Sequence, residues 1–317
     1  MYPVGDATGS NAMAAAAPTS PQLSVVIAST NDGALLIRCL EALTADADPA
    51  RVEVLVARDT ERTDGLDGTG VRERFPAVRW IDAPPGSTVP RLRAIGIAES
   101  RGEIVGLLED DCVVSPGWCP AAIRAHVSPD VAIGGAVEPG PYAKALEWGV
   151  YFCEYGRFML PVRKAAHPPL PGNNVTYKRR ALTELSSSPD GFQDVFVHAA
   201  WQRAGLKTSA TPALVVWNIN SWSLRHVTVV PYHHGRGYSA KRFRTKSVGL
   251  RVVIAVMALG LPVLKTCRIV ASTVSRRRLT GQLLAALPWV LVFTASWSVG
   301  ECAGSLFGPG SSPSRWR

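Results

Sequence analysis

Residues 103–111 read Glu103-Ile104-Val105-Gly106-Leu107-Leu108-Glu109-Asp110-Asp111, an apolar run that ends in three adjacent carboxylates. A short apolar run bounded by polar residues fits a strand buried on both faces. Three neighbouring carboxylates repel one another unless something positive sits among them. Side chains alternate in direction along an extended chain, so Glu109 and Asp111 are expected to point to one side. Hard divalent cations such as Mg2+ or Mn2+ take oxygen ligands, often one or two carboxylates plus substrate phosphates. The segment therefore reads as a strand that delivers a cation site to the edge of a sheet. A solvated acidic turn is the plain alternative.

Working outward, 23–28 predicts another buried strand, followed by the capping turn Ser29-Thr30-Asn31-Asp32-Gly33 and a helix over 34–43. A second buried strand over 52–56 ends at Arg58-Asp59, and a third is expected at 77–81. A helix over 89–99 is closed by Gly102, and 118–126 reads as another helix. Strands alternating with helices at this spacing predict an α/β fold with a mostly parallel sheet flanked by helices. Ligands of such sheets gather beyond the carboxyl ends of strands. Asn31, Asp59 and the triplet each follow a strand, so one crevice can collect them. Past Pro139 the pattern loosens: a helical, aromatic stretch over 142–158, a Pro-rich loop over 161–173, and short helices over 180–185 and 195–204.

The 317 residues carry a formal net charge of +9, and 47% of them are hydrophobic. Basic residues gather over 236–251 and at Arg276-Arg277-Arg278, flanking apolar runs. That arrangement points to a membrane surface and away from nucleic acid. No two of the six cysteines form a C-x-x-C pair, and no secretory signal is legible, so reduced thiols in the cytoplasm are expected. Four regions follow: a disordered tail over 1–21, an α/β domain over 22–245, a membrane-associated helical region over 246–308 and a tail over 309–317. Within the third, 252–264 has about half the roughly 20 residues that cross a bilayer. Residues 283–300 are longer but contain Pro288. The first run is expected to lie in the interface or re-enter, with the arginines against anionic lipid, and the second to insert; spanning by both runs, which would put the arginines on the far side, is the alternative.

Several segments together resemble the family 2 glycosyltransferases of GT-A fold. They are Ser24-Val25-Val26-Ile27 with Asn31, the strand ending at Asp59, Arg93-Ala94-Ile95-Gly96-Ile97-Ala98, Glu109-Asp110-Asp111 followed by Pro116-Gly117-Trp118, Gly172-Asn173-Asn174-Val175-Thr176-Tyr177-Lys178-Arg179-Arg180, and Gly191-Phe192-Gln193-Asp194. The resemblance covers about 23–244. It implies an inverting transfer from a nucleotide-diphosphate sugar to a hydroxyl acceptor of the cell envelope, a polysaccharide or a lipid-linked chain. It further implies a nucleotide pocket from Ala28, Ser29, Asn31, Asp59, Arg93 and Asp110, and Mg2+ or Mn2+ on Asp111 and Glu109. Gly172, Asn173, Asn174, His198 and Arg236 would wall the donor and acceptor sugars, with Arg236 near the diphosphate. Asp194 would be the general base. Nucleotide sugars are cytosolic, so the catalytic domain is expected on the cytoplasmic side of the cell membrane. Two departures stand out. The family's usual metal motif is Asp-x-Asp, and Glu109 occupies its first position. The family's late Glu-Asp pair is Gln193-Asp194 here.

Two other classes use parts of this pattern. A nucleotidyltransferase also joins a parallel sheet to a carboxylate-bound metal, but it needs a basic Gly-rich loop after the first strand. Residues 29–33 contain neither Lys nor Arg. A catalytically degenerate membrane-associated scaffold is compatible with Glu109 and Gln193.

Overall fold

In the computed structural model, which describes residues 20–31, 33–61, 70–162, 165, 168–182 and 191–315, Leu23–Ser29 forms β1 with every side chain buried. It pairs in parallel with β2 (Val52–Asp59) on one side and β4 (Ile104–Glu109) on the other, and β2 pairs with β3 (Arg79–Ala83). Helices α1 (Gly33–Asp46), α2 (Val71–Arg74) and α3 (Val89–Glu99) make the crossovers. Alternation along β1 divides the apolar residues between two layers. Leu23, Val25 and Ile27 meet Leu36, Leu40 and Leu43 of α1. Val26 lies on the opposite face with Ile97 of α3. Each such fully buried aliphatic side chain contributes about 1.5–3 kcal/mol.

Beyond β4 the sheet changes character. β5 (Cys112–Val114) is followed by α4 (Trp118–Ala125), β6 (Ala132–Pro139), α5 (Ala145–Glu154), β7 (Asn174–Lys178), α6 (Arg179–Leu182), α7 (Asp194–Arg203) and β8 (Thr208–Asn218). The order is β3-β2-β1-β4-β7-β6-β8-β5. β7 runs antiparallel between β4 and β6, β8 lies parallel to β6, and β5 antiparallel to β8. The expected α/β sheet is thus present, with its parallel part confined to the first half and to the β6–β8 pair. The sequence pattern missed the three-residue β5 and also β6, β7 and β8. Gly134-Gly135 interrupt the apolar run of β6, β7 has five residues, and β8 carries Pro212 beside a register shift between Gly134 and Ala136. The first half also shows offsets: the third strand begins two residues later than expected, and the helix expected over 180–185 is described only to Leu182. The tail expected over 1–21 lies outside the described residues up to residue 19.

The chain ends in helices. α8 (Leu224–Thr228) and α9 (Val230–Phe243) precede α10 (Val248–Ala258), α11 (Leu261–Arg276) and α12 (Thr280–Phe307). Segment 233–238 is a middle part of α9. α12 crosses α9 backbone to backbone. A Cβ on Gly300 would fall 2.1 Å from the Tyr232 carbonyl oxygen, and one on Gly304 2.2 Å from that of Arg236. A second apolar core lies here, where Tyr151 and Phe152 of α5 pack with Trp222, Val227, Val290 and Phe293. The arginines expected on lipid are largely tied to protein. Arg276 Nη2 donates to the Arg157 carbonyl (2.8 Å), and Arg278 pairs with Glu138 (2.7 Å). Only Arg277 of the three is exposed.

Candidate functional site

The three acidic residues do three different things. Asp110 turns inward, 1% exposed, against the end of β1. Its Oδ2 accepts from Ser29 Oγ (2.9 Å) and from the backbone N–H groups of Thr30 and Asn31 (2.8 Å each). Its Oδ1 accepts from Asn31 Nδ2 (2.6 Å). Expected to touch the nucleotide, Asp110 instead uses both oxygens to shape the β1–α1 loop that carries Asn31.

Asp111 faces the other way. Asn220 Nδ2 donates to its Oδ2 (2.9 Å), and the Cys112 thiol to its Oδ1 (3.3 Å). Burial, then the nearby Glu109 and Asp110 carboxylates, push its carboxyl up to about 7. Glu109 is also raised by burial, against the pull of Arg93.

Arg93, on the buried side of α3, bridges two carboxylates. Its Nη2 donates to Glu109 Oε1 (2.7 Å) and its Nη1 to Asp194 Oδ1 (3.1 Å). Burial opposes its charge, but Asp194 and Glu109 outweigh that and hold its pKa above the ordinary value. Gly172 leaves room for the bridge: a Cβ there would fall 2.9 Å from both Arg93 Nη2 and Asp194 Oδ2. Asp194 opens α7, where the helix dipole favours a negative group. Gln193, the departure from the family's Glu, accepts from Lys241 Nζ of α9 (2.8 Å).

Asn31, Arg93, Glu109, Asp111, Gly172, Asn173 and Asp194 line one cavity of about 370 Å³. The convergence expected from strand ends is therefore present for Asn31, Glu109 and Asp111, but not for Asp110 or Asp59. The opposite wall comes from the terminal helices. Val230, His234 and Tyr238 stand four residues apart on α9 and face the cavity with Trp297 of α12 and Trp222. Tyr238 and His234 lie 6.2 and 6.4 Å, centroid to centroid, from Trp297. Burial holds His234 down at about 4, so its ring is neutral. Glu154 and Arg157 complete the rim, and burial raises the Glu154 carboxyl.

Seven expected site residues do not line this cavity: Asp110 and six more. Ala28 and Ser29 are buried beneath its floor. Asp59, fully buried, accepts from the backbone N–H groups of Gly86 (3.1 Å) and Glu61 (3.2 Å) and so anchors loops. Asn174 accepts from Trp118 Nε1 (2.9 Å) and donates to the Ala136 and Leu214 carbonyls inside the sheet. His198 shares a hydrogen bond with the Tyr177 hydroxyl (2.8 Å). Arg236 Nε donates to the Gly308 carbonyl (3.0 Å) at the end of α12. Its misplacement has a simple cause. In a helix, residues 234 and 236 lie about 200° apart, so facing the cavity with one turns the other away. The helical spacing of Val230, His234 and Tyr238 was the available signal. Nothing in the sequence marked Glu154, Arg157 or Trp297.

Among the described residues, no group of three His, Cys, Asp or Glu side chains converges as a metal cage. The donor set suits a different kind of cation. One Glu109 oxygen is committed to Arg93, and the Asp111 carboxyl lacks a positive neighbour, so Asp111 with Glu109 beside it fits Mg2+ or Mn2+ that keeps water and phosphate in its shell.

Residues 24–183 match the sequence model of glycosyl transferase family 2. That match spans just over half the chain, and the chain belongs to this family: it is a glycosyltransferase. The fold agrees. A mannosyltransferase from Pyrobaculum calidifontis, solved with GDP-Man and Mn2+, superposes with a TM-score of 0.55 at 16% identity, over 92% of this chain and 88% of that one. GalNAc-T7, solved with UDP, GalNAc and Mn2+, gives a TM-score of 0.46 at 15% identity, over 65% of this chain and 45% of that one. The architecture is GT-A, with one long apolar helix near the C-terminus. A comparison with curated proteins finds no match.

Proposed function

We propose that this enzyme transfers a sugar from a nucleotide-diphosphate donor to a hydroxyl of a cell-envelope or lipid-linked acceptor, with inversion, at the cytoplasmic face of a membrane. One observation carries the reading: Asp111, Glu109 and Asp194 open into a single cavity whose far wall is aromatic. Family membership supports the donor class, and the archaeal mannosyltransferase of like fold is described with such a donor.

The Asn31 loop, held by Asp110, borders the donor end. Mg2+ or Mn2+, held by Asp111 and Glu109, would supply charge neutralisation for the departing diphosphate. The acceptor oxygen bonds to the anomeric carbon as the carbon–oxygen bond to the diphosphate breaks, and that electron pair leaves on the diphosphate. Asp194 takes the acceptor proton, and Arg93 fixes the carboxylate by its Oδ1. The tryptophan and tyrosine wall excludes water and offers flat faces to an acceptor sugar. In a panel of nucleotide sugars with Mn2+, at least one donor should be turned over and should raise the melting temperature. A panel with neither response refutes the reading.

The membrane part rests on the last helices. α10 and α11, bent by 53°, leave Val253, Val256, Met257, Leu259 and Val263 exposed beside basic residues 241–251. α12, with 28 residues and a mean hydropathy of 1.7 in its most apolar window, is long enough to span. Its inner face packs on α9, whose Arg236, Lys241 and Arg242 would then enter hydrocarbon at high cost. Seating of α10–α11 in the interface is the arrangement these contacts favour over full crossing. The protein should float with anionic vesicles, and Val256→Glu with Met257→Glu should abolish flotation. Flotation unaffected by the pair sinks this seating.

A further inference from the structure

Among the described residues, the cavity is lined by four carboxylates, Glu109, Asp111, Glu154 and Asp194, against two guanidinium groups, Arg93 and Arg157. Arg93 is committed to Glu109 and Asp194. A diphosphate is polyanionic, so such a lining repels it unless further positive charge joins the cation. Arg236, the guanidinium expected for this task, is on the wrong side of α9. Among the described residues that line the cavity, Arg157 is the other guanidinium. Among the described residues it makes no ion pair. It sits in the 3-10 turn Gly156–Phe158, directly after α5. Its carbonyl is held by Arg276 of α11, and its guanidinium lies 4.6 Å from the Phe158 ring centroid. The backbone is thus held by α11 and one face of the guanidinium by the Phe158 ring, while the residue as a whole stays exposed at the cavity.

We propose that Arg157 grips phosphate in this cavity, taking oxygens of either the donor diphosphate or a phosphorylated acceptor. The proposal rests on the glycosyl-transfer reading above. A guanidinium fork matches two phosphate oxygens, whereas a lysine offers only a point charge. The turn also joins the sheet to the terminal helices, so a phosphate held there lies where the donor floor meets the aromatic wall.

The test compares full-length wild type, Arg157→Gln and Arg157→Lys by calorimetry. The probes are Mn2+ with inorganic pyrophosphate, Mn2+ with UDP or GDP, and farnesyl phosphate in detergent micelles. Losing one charge-assisted bidentate contact should weaken binding about tenfold or more in the Gln variant, with partial recovery in the Lys variant. Loss on pyrophosphate and nucleotide assigns the grip to the donor, and loss confined to farnesyl phosphate assigns it to the acceptor. Equal binding of every probe by wild type and Gln variant overturns the proposal, as does a wild type that binds no phosphate probe. If phosphate binding depends on Arg157 but no nucleotide sugar is turned over, the glycosyl-transfer reading fails and the phosphate site stands. Arg157 is exposed and its guanidinium stacks on a single ring, so nearly unchanged melting temperatures should accompany both variants.

Discussion

The cavity floor and the cavity wall are built on opposite terms. The floor, from the ends of β1 and β4, is a polar network in which nearly every group is satisfied by another far away in sequence: Asp110 alone accepts four hydrogen bonds from residues 29–31. The wall, from α8, α9 and α12, is made of rings and neutral imidazoles held by packing. Buried charges demand partners with defined geometry, so the floor is a fixed network, as the proposed phosphate and metal binding would require. Aromatic surfaces accept a range of shapes, so the wall suits an acceptor that varies.

The sharpest way to break this comparison is inside the floor itself. Asp111→Asn should lower turnover at least about a hundredfold, in the range seen when one preorganised electrostatic contact is lost. The same change should raise apo stability, because it removes one charge from a crowded buried cluster. Asp110→Ala should act in reverse on stability, costing about 1–3 kcal/mol by leaving the loop donors of residues 29–31 unpaired. Melting curves with and without Mn2+, read beside initial rates, test both. Neighbouring substitutions that moved stability the same way would show that the two carboxylates are not divided as described.

A smaller effect is expected at the wall. Trp297→Ala should raise KM for the acceptor by about tenfold through lost ring contact, leaving the affinity for nucleotide diphosphate unchanged. Steady-state kinetics against titrations with UDP or GDP separate the two. A parallel loss in both would mean that floor and wall are not distinct.

The smallest effect concerns pH and lies away from the cavity. His126 Nε2 shares a hydrogen bond with Thr176 Oγ1 (2.8 Å), and burial, then Lys178, hold its pKa down at about 4. In the unfolded chain it titrates near 6.5. Between about pH 6.5 and 4 the unfolded state therefore binds a proton that the native state does not, and stability falls as pH falls. His126→Gln should flatten that slope by at most about 1.4 kcal/mol per pH unit, seen in urea melts across the window.

Legibility in the sequence followed the same division as the site. β1, β2, β4 and α3 could be read because each is a local pattern, an apolar run or a helical stretch, although α3 is capped at Ser100 and not at the expected Gly102. The antiparallel strands could not, since β7 gains its apolar partners only by lying between β4 and β6. In the site, Asp111, Glu109, Asn31, Arg93, Gly172, Asn173 and Asp194 were named and meet. Arg236 was named from the right segment, but that segment is a helix and presents His234 and Tyr238 instead. Glu154 and Arg157 end an aromatic stretch that reads as plain core.

By itself the sequence determined that carboxylates follow a buried strand, because an apolar run ending in charge is a local pattern. Glu109 and Asp111 do line one cavity, but Asp110 and Asp111 form a turn, so strand alternation is not the cause. The sequence determined, too, that the last third carries apolar surface. Tertiary structure alone decided that Asp110 serves the β1 loop, about 80 residues away, and that Arg93 joins Glu109 to Asp194. It also decided that the apolar tail supplies a wall of the active cavity. Those outcomes depend on which donor arrives opposite each carboxylate, and long-range packing sets that where no local pattern can.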